Sequence, residues 1–193
     1  YVSNLTRNAL LRNDGTGRFE DVTEAANANV PAWSASAAFL DVDGDGDLDL
    51  FVSNYIEWST DGEKVCLSPQ KARTYCSPKS YDRPARDTLL LNRGDGTFED
   101  ASEALGLDAA FGNGLGVVCA DFDLDGEPEI FVANDGNPNQ YWDRAEDGQL
   151  VDGALRLGCA VDTQGRSKAG MGVAAADVDG DGRPDLITQR NGC

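Results

Sequence analysis

The sequence predicts an all-β protein, a segment of a β-propeller whose four-stranded antiparallel blades form an open arc. Two repeated units predict this fold class. An acidic loop followed by an apolar strand occurs three times without a gap, as DVDGDGDLDLFVSN at 41–54, DFDLDGEPEIFVAN at 121–134 and DVDGDGRPDLITQR at 177–190. The second unit is ALLRNDGTGRFEDVTEAA at 9–26 and LLLNRGDGTFEDASEAL at 89–105. Repeats of this size are typical of propellers and solenoids.

Each complete repeat contains the signals of four strands, here called a to d in chain order. A strand of small residues, a, precedes each acidic loop, and a β-branched, apolar strand, b, follows it. Strands c and d, such as LLLN and TFED, pair across a glycine-rich hairpin. The acidic loop therefore joins strands a and b of each blade.

The strand count assigns residues 1–193 to one propeller segment. Its parts are a partial blade at 1–26, a complete blade at 34–102 with an insertion at 55–86, a complete blade at 114–155 and a partial blade at 170–193. Propellers hide their strand edges by radial repetition. We therefore expect the remaining blades to lie in a parent chain, and we expect the isolated segment to self-associate.

The acidic loops predict up to three structural calcium sites. Their shared pattern is D-x-D-x-D-G-x-x-[DE], which places carboxylates at alternate positions of a tight turn. Ca²⁺ needs about 6–8 oxygen ligands, which such carboxylates and a main-chain carbonyl supply. The predicted ligands are the side chains of Asp41, Asp43, Asp45 and Asp49 with the carbonyl of Asp47 in loop one, those of Asp121, Asp123, Asp125 and Glu129 with the carbonyl of Glu127 in loop two, and those of Asp177, Asp179, Asp181 and Asp185 with the carbonyl of Arg183 in loop three.

Two alternatives compete with this interpretation of the loops. An EF-hand needs a Glu at the end of its twelve-residue loop, where these loops have Val52, Val132 and Thr188. A strand rather than a helix also follows each loop, which disfavours that alternative. The other is an acidic turn that binds no metal. It is strongest at loop two, because Glu129 replaces Asp there and Pro128 stiffens the approach.

Composition and charge restrict the function classes. The 34 Asp and Glu against 16 Lys and Arg give a net charge of −18, so we expect no nucleic-acid binding. No apolar run approaches the length of a membrane span. The lack of His excludes His-dependent catalytic triads and most zinc sites. Because no nucleophile elbow or phosphate-binding loop occurs either, we expect the chain not to be an enzyme.

The insertion at 55–86 has the opposite charge to the rest of the chain. Residues 64–86 carry an excess of five positive charges, with Asp82 as the only acid. The basic residues are Lys64, Lys71, Arg73, Lys79, Arg83 and Arg86. In an up-and-down blade, the b–c connection lies opposite the a–b loops. The insertion is either a solvated loop or a binding surface for a protein or an anionic glycan.

Five cysteines bear on the compartment. Cys66 and Cys76 lie close together within the insertion, and we expect a disulfide between them, which indicates an oxidising compartment. We interpret Cys119 as a small, buried apolar residue of a strand. The pairing of Cys119, Cys159 and Cys193 stays open. The expected location is secreted, periplasmic or at the cell surface.

The loop and hairpin motifs also resemble those of a known family of repeats. The pattern D-x-D-G-D-G-x-x-D-L-[FI]-V-x-N, with N-x-x-G-x-F-x-D-[VA]-[TS], resembles FG-GAP/VCBS repeats, as in integrin α-subunit propellers. FEDVTEAA, YCSPKSYD and AGMGVAAADVDGDGRPDL are similar to the cartilage acidic protein family and its bacterial relatives. The resemblance implies a seven-bladed type of propeller, an extracellular location and calcium on the matched loop residues. Loop two departs from the pattern at Glu127-Pro128-Glu129.

Three function classes follow from the sequence. The first is a non-enzymatic, calcium-stabilised module for adhesion or for binding a protein or a glycan. The second is an enzyme, such as a polysaccharide lyase that uses a propeller scaffold, Ca²⁺ and a Tyr, Lys or Arg as base. The third is a structural propeller attached to a catalytic domain elsewhere in a larger secreted enzyme.

Overall fold

The computed structural model describes residues 1–77 and 80–191, and of residues 189–191 only the backbone. Antiparallel strands account for most of its regular structure, which confirms the all-β prediction. None of the helices within these residues is long and apolar enough to cross a membrane. The strands are β1 (Leu11–Asn13), β2 (Phe19–Asp21), β3 (Ser34–Leu40), β4 (Asp49–Asn54), β5 (Cys66–Leu67), β6 (Arg73–Thr74), β7 (Thr88–Asn92), β8 (Phe98–Asp100), β9 (Gly114–Ala120), β10 (Glu129–Asn134), β11 (Gln140–Arg144), β12 (Leu150–Asp152), β13 (Ala169–Ala176) and β14 (Asp185–Asn191). The helical turns are the α-helix α1 (Ala154–Leu157) and the 3-10 turns Thr60–Gly62 and Leu107–Ala109.

Two four-stranded antiparallel sheets occupy the middle of the chain. Their strand orders are β3-β4-β7-β8 and β9-β10-β11-β12, so each sheet follows chain order from a to d. Two-stranded sheets precede and follow them, β1-β2 and β13-β14. A bridge between Val2 and Ala9 extends the first of these. The predicted four-stranded antiparallel architecture of propeller blades is therefore confirmed.

The first strands of successive sheets pack side by side. Strand β9 contacts β3 and β4 of the preceding sheet and β13 of the following one. Strands β3, β9 and β13 are rich in small residues, which lets the backbones approach closely. A Cβ atom on Gly114 would lie 2.0 Å from Ser53 Oγ, and one on Gly116 would lie 3.0 Å from the carbonyl oxygen of Met171. The small residues of strand a thus permit the contact between neighbouring sheets.

The apolar cores lie between the sheets. Strands β4 and β10 are buried along their whole length. Phe51 and Leu89 of one four-stranded sheet pack in a single cluster with Ile130 and Trp142 of the next. Phe131 belongs to a second cluster, together with Ala154 of α1. Since burying one such aromatic side chain stabilises by about 1.5–3 kcal/mol, these inter-sheet clusters hold the sheets together.

Replacing Gly114 tests how closely the sheets pack. We expect Gly114→Ala to destabilise the protein by about 2–3 kcal/mol, as overpacked cores do. The cause is overlap between the new Cβ atom and Ser53 Oγ. Urea unfolding, monitored by tryptophan fluorescence, measures the loss.

Ser53→Ala supplies the matched partner for a double-mutant cycle. Ser53 Oγ is buried and has no hydrogen-bond partner within the described part of the chain, so its removal alone should change the stability little. Without it, the nearest atoms to a Cβ at position 114 are the Asn54 carbonyl oxygen and Val132 Cγ1, both 3.2 Å away. The double variant should recover at least about 1 kcal/mol of the loss. If the losses of unfolding free energy in the two single variants simply add up in the double variant, the packing of position 114 against Ser53 Oγ is looser than the 2.0 Å distance indicates.

The insertion contains more regular structure than a loop. Strands β5 and β6 pair as a short hairpin, and the predicted disulfide between Cys66 and Cys76 closes it, which confirms that prediction. Lys79, one of the predicted basic residues, and Cys193 lie outside the described residues. Cys119 lies in β9 and is half-buried against the core. Burial raises the pKa of its thiol to about 12, so the thiol is unreactive at neutral pH.

The two ends of the sheets carry different connections. At one end the acidic loop meets the c–d hairpin, where Asn92 Nδ2 donates to the Leu48 carbonyl oxygen at 3.1 Å. At the other end the insertion meets the connections of the next sheet. Ala85 forms a bridge with Gly112, and Tyr55 OH donates to Asp135 Oδ2 at 2.8 Å. The insertion therefore lies at the end opposite the acidic loops.

Candidate metal centres

The three acidic loops fold through the same hydrogen bonds. In each loop the first carboxylate accepts a bond from the main-chain N–H of the glycine five residues later. The bonds join Gly46 N to Asp41 Oδ2, Gly126 N to Asp121 Oδ2 and Gly182 N to Asp177 Oδ2, each at 3.0 Å. These glycines have φ angles of 93°, 97° and 89°, a left-handed conformation that other residues rarely adopt. The sixth position of the pattern is glycine for this reason.

The carboxylates at positions three and five of each loop each use one of their two oxygens to stabilise the turn. The fifth accepts from the N–H two residues later, as Asp125 Oδ1 does from Glu127 N at 2.8 Å. The third accepts a longer bond, as Asp123 Oδ1 does from Asp125 N at 3.2 Å. Both bonds recur in loops one and three. Because each bond engages a single oxygen, the second oxygen of these carboxylates is available to an ion.

The folded loops bring most of the predicted ligands together. In each group, one carboxylate oxygen per residue lies within 4.8 Å of those of the other members. The groups are Asp41, Asp43 and Asp45 in loop one, Asp121, Asp123, Asp125 and Glu129 in loop two, and Asp177, Asp179 and Asp185 in loop three. Two oxygens on opposite sides of one Ca²⁺, each about 2.3–2.6 Å from the ion, lie about 4.6–5.2 Å apart, and all other pairs of its ligands lie closer together. The three groups therefore have a spacing that one calcium ion can bridge.

Five predicted ligands lie outside these groups. They are Asp47, Asp49, Glu127, Asp181 and Arg183. For Asp47, Glu127 and Arg183 the predicted ligand is the main-chain carbonyl, and their N–H groups donate to the fifth carboxylate of the loop. Asp181 is one of these acceptors, through its Oδ1.

Asp49 differs from its counterparts because both of its oxygens are occupied. Oδ2 accepts from Val42 N and Oδ1 from Asn92 N, each at 2.8 Å. The side chain is buried, and burial raises the pKa of its carboxyl group, against the effect of the two hydrogen bonds. Asp49 thus ties the acidic loop to the c–d hairpin of the same sheet.

Glu129 reaches its group because of its longer side chain. Oε2 accepts from Phe122 N at 2.7 Å and from Tyr141 OH at 3.0 Å, so one oxygen takes both bonds. Burial raises the pKa of the Glu129 carboxyl group. The sequence predicts a metal site at all three loops, and the alternative of a metal-free turn was strongest at loop two. The structure instead gathers four carboxylates there, the largest of the three groups in the described residues.

Comparison with known families shows to which family the repeats belong. The chain matches the FG-GAP-like repeat family over residues 1–52, 80–132 and 121–188. The chain belongs to this FG-GAP-like repeat family. Each matched segment ends within the strand b that follows an acidic loop. All three acidic loops therefore fall inside matched segments. The resemblance inferred from the loop and hairpin motifs is thereby confirmed.

The cartilage acidic proteins are also similar to this FG-GAP-repeat chain. Human cartilage acidic protein 1 is 43% identical over 54 residues, and the Xenopus tropicalis protein is 40% identical over 54 residues. The matched segment covers 28% of this chain and 8% of the length of each relative. The similarity therefore concerns a short part of much longer proteins.

The chemistry of the FG-GAP-repeat loops fits a hard cation. Every side-chain ligand in the three groups is a carboxylate oxygen, which suits Ca²⁺ or Mg²⁺ better than the softer transition metals. Carboxylates this close repel one another strongly unless a cation lies between them.

A second repeated polar contact lies at the other end of the FG-GAP sheets, and the sequence did not reveal it. The N–H of the Asn that ends strand b donates to the side chain that precedes strand c. The bonds join Asn4 N to Asn8 Oδ1, Asn54 N to Asp87 Oδ1 and Asn134 N to Asn139 Oδ1, at 2.6, 2.8 and 3.0 Å. The insertion separates Asn54 from Asp87, which hides the correspondence in the sequence. Asp87 is buried, and burial raises its pKa to about 7.

Proposed function

We propose that this FG-GAP-repeat chain is a calcium-stabilised, extracellular module that binds a protein or glycan partner and has no catalytic activity. The recurrence of one carboxylate arrangement in three loops carries the proposal, since Asp121, Asp123, Asp125 and Glu129 converge within 4.8 Å in the most complete of them. Calcium in these sites would be structural. Each loop joins strands a and b of one sheet, so an ion there would hold the two strands of a blade together.

The compartment follows from the same features. Extracellular calcium modules have dissociation constants of about 10⁻⁴–10⁻³ M, which match the calcium level outside cells. The Cys66–Cys76 disulfide also forms and persists in oxidising compartments. The disulfide, together with the proposed calcium sites, supports secretion or exposure at the cell surface.

Two of the five tyrosines are unsuited to act as a catalytic base. A lyase-type mechanism without His would need a Tyr, Lys or Arg base. Tyr55 OH donates to Asp135, and Tyr141 OH donates to Glu129. Burial and the neighbouring carboxylates raise the pKa of both phenols, whereas a general base needs a pKa near the working pH. These two hydroxyls therefore stay protonated and serve as hydrogen-bond donors.

Isothermal titration calorimetry tests the metal sites directly. We expect three equivalents of Ca²⁺ to bind, with dissociation constants of about 10⁻⁴ M. Asp43→Asn, Asp123→Asn and Asp179→Asn each neutralise the third position of one loop and keep an acceptor for its hydrogen bond. Each variant should lose one equivalent, or should bind it at least about tenfold more weakly.

Asp61→Asn is the control for net charge, because Asp61 is exposed in a 3-10 turn of the insertion, which lies at the end of the sheets opposite the acidic loops. It should bind calcium like the unmodified chain. No detectable binding to that chain at millimolar calcium would refute the proposal. An equal loss in Asp61→Asn would show a diffuse charge effect instead of sites.

A further inference from the structure

A cleft lies at the end of the sheets opposite the acidic loops. It has a volume of about 640 Å³, within the range of roughly 300–1,000 Å³ that small-molecule sites occupy. The connection between the first two sheets, residues 27–33, forms one wall, and the two stems of the insertion, residues 56–59 and 83–86, form the other. The cleft therefore exists because the insertion stands beside its neighbouring blade.

Aromatic rings line this cleft in a fixed arrangement. Trp33 and Trp58 meet edge to face with their ring centres 6.0 Å apart, and Tyr55 packs edge to face on Trp33 at 5.6 Å. Trp58 Nε1 donates to Glu63 Oε2 at 2.7 Å. Both indoles remain partly exposed. The cleft thus presents anchored apolar ring surfaces next to water, as amphipathic Trp side chains do at binding sites.

Two charged side chains of the cleft are free to bind a ligand. Neither Arg83 nor Glu57 forms a side-chain hydrogen bond or ion pair with another residue that the structure describes. The other charges are engaged, since Arg86 Nη1 pairs with Asp108 Oδ1 at 2.6 Å and Asp100 Oδ1 accepts from Ser102 N at 3.0 Å. Among the described residues, the cleft therefore offers one free guanidinium and one free carboxylate beside the indole rings.

We infer that this cleft binds a short acidic oligosaccharide, with a uronate carboxylate on Arg83, sugar hydroxyl groups on Glu57 and the C–H faces of the pyranose rings on Trp33 and Trp58. A uronic acid residue carries in one small unit a planar carboxylate for the guanidinium fork, hydroxyl donors for a carboxylate, and an apolar face. An acidic peptide would leave Glu57 opposite its own charge. The inference rests on the proposed function and names the ligand class and its site.

The test compares two β-1,4-linked tetrasaccharides that differ only at the sixth carbon of each sugar, glucuronate tetrasaccharide with a carboxylate there and neutral cellotetraose with a hydroxymethyl group. Binding to the full chain in 5 mM calcium, about 50 times the expected dissociation constant, is followed by calorimetry and by tryptophan emission. Trp142 is buried in the core, so an emission change reports on Trp33 and Trp58. We expect the uronate to bind at least about tenfold more tightly than cellotetraose, as one charge-assisted contact allows.

Three variants assign the contacts. Arg83→Gln should remove most of the difference between the two probes and leave cellotetraose binding unchanged. Glu57→Gln should weaken both probes, because an amide accepts hydroxyl donors less strongly than a carboxylate. Arg73→Gln makes the same charge change within the insertion but lies outside the cleft, and should bind both probes within about twofold of the unmodified chain.

The inference is overturned if the uronate does not bind the unmodified chain at about 10 mM, or if Arg73→Gln loses as much affinity as Arg83→Gln. Equal or tighter binding of tetraglutamate would also overturn it, in favour of an acidic peptide partner. Calcium titrations of the same samples separate the two proposals, since a chain that binds three calcium ions but no uronate contradicts this inference alone. A chain that binds the uronate but shows no detectable calcium binding contradicts the metal sites alone.

Discussion

Chelating calcium should lower the melting temperature of this FG-GAP-repeat module by about 10 °C. With dissociation constants of about 10⁻⁴ M, 1 mM Ca²⁺ stabilises the folded state by about 1.4 kcal/mol per site and by roughly 4 kcal/mol over three sites. A domain of this size shifts by about 2–4 °C for each kcal/mol. Melting curves in 1 mM calcium and in excess EGTA measure the difference.

Two controls separate bound calcium from general ionic effects. Mg²⁺ at the same concentration should restore little of the lost stability, because it demands a tight and nearly ideal octahedron of ligands and gives up its water reluctantly. Raising the NaCl concentration screens repulsion between exposed charges, and it should recover only a small part of the shift. An unchanged melting temperature in EGTA would contradict structural calcium, whatever the ligand of the module.

Asp87→Asn should stabilise the protein by about 4 kcal/mol at pH 8 and by almost nothing near pH 4. Asp87 is buried, its pKa is about 7 instead of 3.8, and three pKa units correspond to about 4 kcal/mol. Below pH 4 both states are protonated and the carboxyl group costs nothing. As the pH rises from 4 to 7 the unfolded chain releases its proton while the folded chain retains it, so stability falls, and the full loss is present above pH 7.

The other repeats supply the natural precedent for this substitution. Asn8 and Asn139 occupy the corresponding place, and their Nδ2 groups donate to the carbonyl oxygens of Val30 and Cys159 at 3.0 and 3.1 Å. An amide at position 87 keeps the acceptor for Asn54 N and carries no charge. Urea unfolding at pH 4.5, 6 and 8 in saturating calcium, with Asp61→Asn as the exposed control, measures the effect. Destabilisation by Asp87→Asn at pH 8 would show that the carboxylate has a compensating partner.

The fold class could be predicted from the sequence because its causes are local. Three acidic loops recur in register, and each needs a glycine at its sixth position, such as Gly46, for the left-handed turn. The strands before and after the loops differ in side-chain size and in apolar character, which identifies strands a and b. Most members of the carboxylate groups follow from the same spacing, since alternate positions of one tight turn lie close together. The disulfide between Cys66 and Cys76 was also predictable, as the two cysteines lie close in the chain.

The tertiary structure alone decided which polar groups meet. Asn92 is 43 residues from Asp49. Its N–H donates to Asp49 Oδ1, so this oxygen is already occupied. Tyr141 and the added methylene of Glu129 make loop two the most complete group, although its pattern is the least regular. Asp87 is buried against Asn54 across the insertion. Such contacts depend on hydrogen-bond donors that strand pairing brings from distant parts of the chain. A sequence motif specifies the ligands that a turn presents, and the packing of neighbouring strands determines which of their oxygens remain free.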